Sequence, residues 1–89
     1  LDLNFAILGK GDPQVAIDLI QSVLEEEKDR ILEEPEKPFL RLTGFSAEGN
    51  ATLTLRVWVK AENLWDLNYD LLQKIKRTFD RNTMVIITK

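Results

Sequence analysis

The chain reads as an α+β domain: one four-stranded antiparallel sheet with two helices on one face, in the order βαββαβ. Three observations predict this. Residues 51–59 alternate between apolar and polar, residues 16–24 and 64–79 carry apolar side chains at helical spacing, and clusters of Gly, Pro, Asn and Ser separate the periodic segments. The 89 residues suit a single domain, 1-89, whose core is necessarily small.

Leu3, Phe5 and Ile7 alternate with Asp2, Asn4 and Ala6, a first strand that Gly9-Lys10-Gly11-Asp12 breaks. Asp12 is placed to cap the next helix, and Pro13 falls at the first helical position, where a missing N–H does no harm. Ala16, Leu19, Ile20, Val23 and Leu24 form one apolar stripe. The helix should fade through residues 25–30, with Ile31 and Leu32 anchoring its last turn before Pro35 and Pro38. Phe39–Phe45 reads as a second strand, with Leu40 and Leu42 on one face and Phe39, Arg41 and Thr43 on the other. Gly44 marks a bulge expected to turn Phe45 inward.

Residues 46–50, Ser-Ala-Glu-Gly-Asn, make a hairpin connection. In the third strand Ala51, Leu53, Leu55, Val57 and Val59 share one face, while Thr52, Thr54, Arg56, Trp58 and Lys60 share the other. Asn63 is the expected cap of a second helix, with Asp66 completing a capping box. Leu64, Leu67, Leu71, Leu72, Ile75 and Phe79 form its buried face, and Asn82 is the expected left-handed residue at its end. Residues 84–87 supply a fourth strand. This order is the ferredoxin-like split βαβ sandwich.

Composition narrows function. The chain lacks cysteine and histidine, which removes disulfides, thiolate chemistry and the commonest general base and metal ligand. A formal charge of −3 disfavours nucleic acid, which calls for a basic stripe. No apolar run approaches the ~20 residues of a membrane span. The start on Leu1, inside a strand, leads to the expectation that the chain is a piece of something longer.

Several residue clusters are candidates for chemistry. Gly9-Lys10-Gly11 before a helix suits a phosphate, but it matches no phosphate-loop pattern and Asp12 would repel an anion, so it reads as a turn. Glu25, Glu26, Glu27, Asp29, Glu33 and Glu34 lack cation-site spacing and read as a solvated helix end; Asp66 and Asp70 likewise read as solvated or capping. Lys74, Lys76, Arg77 and Arg81 complement the second helix's dipole. No catalytic, cofactor or metal residue is assigned, and no enzyme activity is expected.

The remaining cluster is the uncovered sheet face. If both helices cover Leu53, Leu55 and Val57, then Phe39, Arg41, Arg56, Trp58 and Lys60 lie on the other side. An aromatic-basic platform of this kind suits a protein contact, and we take these five residues as a candidate subunit interface. Local packing and base stacking are the alternatives; the glycine-aromatic signature of RNA-binding sheets is missing.

The ordered pattern across the chain resembles the C-terminal cytosolic α/β domain of small-conductance mechanosensitive ion channels. The likeness is carried by Arg56-Val57-Trp58-Val59-Lys60, Asn63-Leu64-Trp65-Asp66 and Tyr69-Asp70-Leu71-Leu72-Gln73-Lys74-Ile75-Lys76. Gly11-Asp12-Pro13-Gln14-Val15, Asp29-Arg30-Ile31-Leu32 and Pro38-Phe39-Leu40-Arg41-Leu42 extend it into the first half. The resemblance implies a non-enzymatic cage domain of a homoheptameric channel, on the cytoplasmic side of the inner membrane. The membrane segments would lie outside this chain, and the domain would bind no cofactor or nucleic acid. Residues 82–89 lack the glycine and prolines with which the family usually leaves its second helix. Two other readings stand beside it: a small-molecule regulatory module of the same topology, and an RNA-binding sheet.

Overall fold

The computed structural model describes residues 1–9 and 11–88; Lys10 of the first turn and Lys89 lie outside the described residues. Strand β1 (Asp2–Leu8) leads to helix α1 (Pro13–Glu26), then to β2 (Phe39–Phe45) and β3 (Ala51–Arg56), helix α2 (Leu64–Arg81) and β4 (Val85–Thr88). Short 3₁₀ turns occupy Lys28–Arg30 and Ala61–Asn63. The sheet order is β2-β3-β1-β4, and every neighbouring pair is antiparallel. This is the α+β, ferredoxin-like arrangement.

The alternation of the strands decides where the helices go. Phe5, Ile7, Leu53, Leu55 and Val57 point to one face and are almost wholly buried. Each contributes about 1.5–3 kcal/mol by leaving water, and that apolar face holds both helices. Ala16, Ile20, Val23 and Leu24 of α1 and Leu67, Leu71, Ile75 and Phe79 of α2 complete one core with them. Leu19, Val59 and Leu72 are half-buried against its margin.

Several local details depart from expectation while others hold. Asp12 does cap α1, accepting the Gln14 backbone N–H at 2.9 Å. Asn63, in contrast, gives no side-chain cap: its φ of −101° and ψ of −4° are already helical, because the 3₁₀ turn runs straight into α2. Gly44 does accompany a register shift between Leu42 and Gly44. Phe45, however, is opposite Ala51 at the end of the sheet, beyond helical cover, and is 80% exposed instead of inward. Leu42 is also exposed, on an edge strand that α1 covers only in part.

A further departure is at the end of α2. Asn82 keeps a negative φ, and Thr83 takes the left-handed conformation at φ 55°. The Met84 N–H reaches the Phe79 carbonyl (3.0 Å) and the Thr83 N–H reaches that of Asp80 (3.3 Å), the two bonds of a Schellman motif. Asn82 serves instead through its side chain, donating to the Thr78 carbonyl at 2.8 Å. A β-branched residue is poorly suited to positive φ. Thr83→Gly is therefore expected to stabilise the domain by about 0.5–1 kcal/mol, the relieved left-handed cost outweighing glycine's extra chain entropy. Urea unfolding of the two proteins checks it; an unchanged or lower midpoint contradicts it.

Candidate functional site

The sheet face turned away from the helices carries a row of side chains set by strand register. Phe39 is opposite Arg56, and Arg56 is opposite Asp2 on the next strand. Residues directly opposite on antiparallel strands share a face, so these three stand side by side. The Arg56 guanidinium carbon lies 5.7 Å from the Phe39 ring centroid and that of Arg41 lies 5.8 Å away, so two cations flank one ring. Arg56 Nε donates to Asp2 Oδ1 at 2.9 Å, which fixes that guanidinium. The next row is polar: the Thr54 hydroxyl donates to Asn4 Oδ1 at 2.9 Å and lies 2.8 Å from the Thr43 hydroxyl.

Trp58 follows just beyond β3. Its carbonyl accepts the Leu32 N–H at 2.8 Å, an isolated bridge that pins the chain after α1. Its ring is 40% exposed, and together with Arg56, Asp2 and Glu36 it lines a shallow depression. Phe39 is 38% exposed. Register thus brings Phe39, Arg41 and Arg56 together, with Trp58 adjoining Arg56 around the depression. Lys60 stands apart: β3 ends at Arg56, and Lys60 precedes the 3₁₀ turn, exposed and without a side-chain hydrogen bond or ion pair among the described residues.

The acidic run is not simply a solvated helix end, because Glu27 is buried. Its carboxylate accepts hydrogen bonds from both Arg30 and Lys74, and Arg30 also reaches Asp70 at 2.8 Å. Asp70 and Lys74, expected to serve solvation and the helix dipole, therefore join α2 to the end of α1. The spacings Glu27/Arg30 and Asp70/Lys74 are visible in sequence, but pairing across helices depends on the tertiary packing. Trp65 and Tyr69, which carry part of the family likeness, were given no surface role from sequence. They lie one turn apart on α2, exposed, with ring centroids 6.4 Å apart. Their i, i+4 spacing off the apolar stripe was the available signal.

Other features bear on the candidate chemistries. A Cβ at Gly11 would come within 2.8 Å of the Met84 terminal methyl, so that glycine allows close packing of the first turn against the end of α2. Among the described residues no group of acidic side chains is arranged to hold a metal, and no helix is long and apolar enough to cross a membrane.

The fold and this surface define a small α+β domain with one sheet face left bare by its helices. Comparison with protein families then places it. The family described as the C-terminal part of the mechanosensitive ion channel MscS matches residues 11–86, and the chain belongs to that family. No curated protein matches it.

Burial alone would raise the Glu27 carboxyl, but hydrogen bonds from Lys74 and Arg30 outweigh it and hold the group below its ordinary 4.5. A depressed carboxyl stabilises the fold above its unfolded value and loses that contribution as pH falls through the folded value. Stability should thus drop as pH falls below about 4.5. Glu27→Gln should cost about 1–2 kcal/mol at pH 7 and flatten that acid dependence. Unfolding midpoints at several pH values check this; parallel pH profiles for the two proteins contradict it.

Proposed function

We propose that this domain forms part of the wall of a mechanosensitive channel's cytosolic cage, contributing structure and subunit contacts without catalysis. The observation that carries the proposal is the family match over residues 11–86. The parent is a homo-oligomer, a heptamer by the family resemblance, held in the inner membrane by segments outside this chain. Its cytosolic part stands on the cytoplasmic side, and tension on the membrane opens the pore to ions and osmolytes, relieving osmotic stress.

In this reading Phe39, Arg41, Arg56, Trp58 and Lys60 meet a neighbouring subunit. The support is physical. Phe39 and Trp58 are exposed aromatics on a face the chain's own helices leave bare, and arginines and aromatics are the residue types that most often anchor interfaces. Asp2 already orients Arg56, which reduces the ordering cost of a contact.

The gene upstream of Leu1 should encode apolar spans of roughly 20 residues. The full-length product should also protect a channel-deficient bacterium from abrupt dilution; absence of the spans or of protection contradicts the proposal. Trp58→Ala and Arg56→Glu lie outside the core and should leave the isolated domain folded, at a cost of about 1–2 kcal/mol. In the full-length protein they should reduce the assembled fraction measured by sedimentation. An unchanged assembly in both variants removes this face as the subunit contact.

A further inference from the structure

The sheet has two free edges, and they are built differently. β2 is interrupted by its bulge, carries Arg41 and is entered from Pro38, features that discourage the addition of another strand. β4 has none of these: Val85–Thr88 contains no charge, proline or glycine, and its register with β1 is unbroken. On the open face Val85 is 55% exposed and Ile87 48% exposed. On the covered face Ile86 stands at the lip of a mostly apolar groove between α2 and β4, lined by Phe5, Leu72 and Ile75, with Lys76, paired to Asp80, at its margin. Unpaired strand groups beside apolar surface call for an extended strand, since only a strand satisfies both.

We infer that β4 pairs antiparallel with β4 of a second copy of this chain. The strand's own pattern argues for that occupant. Side chains directly opposite one another share a face. Setting Ile86 against Ile86 of the second copy places Val85 against its Ile87, and Ile87 against its Val85. Four exposed apolar side chains then cover one another on the open face, and the two grooves meet on the covered face. The helices of both copies stay on the same side of one eight-stranded sheet. No like charges oppose each other, because the strand has none.

This contact is two-fold, unlike the head-to-tail contacts of a cyclic ring. It therefore goes beyond the proposed subunit interface and does not depend on it. Within a channel ring it would join domains of two separate assemblies.

Sedimentation equilibrium of the 89-residue chain, whose described core is closed, tests the inference from about 10 µM to about 1 mM. The expected result is a concentration-dependent dimer that Val85→Lys and Ile87→Lys each abolish, with unchanged circular dichroism. Phe45→Lys, on the other edge, should leave the dimer intact. A mixture of isotope-labelled and unlabelled chains should show NMR contacts between Val85 and Ile87 methyls across the dimer. A native chain that stays monomeric to 1 mM overturns the inference. So does a dimer that survives both β4 substitutions, one lost only with Phe45→Lys, or one without those methyl contacts.

Discussion

The one-sided distribution of apolar side chains on the sheet governs this structure. Along β1 and β3, Leu3, Phe5, Ile7, Leu53 and Leu55 fall on one face, while Asp2, Asn4, Thr54 and Arg56 fall on the other. Both helices therefore pack on the same face, because there covering the sheet removes the most apolar surface from water. The opposite face is left to satisfy itself. It does so with the Thr43–Thr54–Asn4 hydrogen bonds and with two arginines flanking Phe39. An exposed sheet face is thus a direct consequence of how the core is made.

Within the helical layer, apolar burial supplies most of the stabilisation and ion pairing supplies orientation. The stripes of α1 and α2 tolerate some sliding, since apolar contact is non-directional. Glu27 is different, because its two oxygens receive donors from the end of α1 and from α2. Such a pair gains little net stability over an apolar substitute, yet removing one partner leaves a poorly solvated charge. The same segment is tied to the sheet through the Leu32–Trp58 bridge, so the chain between α1 and β2 is held at both its helical and its sheet side.

The fold was legible because period 2 and period 3.6 are properties of the backbone that the residues must match. The limits of Phe39–Phe45 and the start of α1 at Pro13 were legible for the same reason, helped by turn residues. Details set by neighbours were not. Asn63 carries the residue type of a cap, but a preceding 3₁₀ turn made the cap unnecessary. Asn82 is the better left-handed residue, yet the bonds back to Phe79 and Asp80 place that conformation on Thr83. Glu27 resembles its exposed neighbours in sequence and differs only because α2 lies against it. On the bare sheet face, the placement of Phe39, Arg41 and Arg56 was legible by alternation, whereas that of Lys60 was not, since the strand stops at Arg56.

The central claim is that the bare sheet face is the surface this domain offers to the assembled channel. Hydroxyl-radical footprinting of the full-length protein and of the isolated domain tests it most directly. Phe39 and Trp58 should be labelled in the isolated domain and protected in the assembled channel, while buried Phe5 stays unlabelled in both. Equal labelling of Phe39 and Trp58 in the two states would contradict the claim.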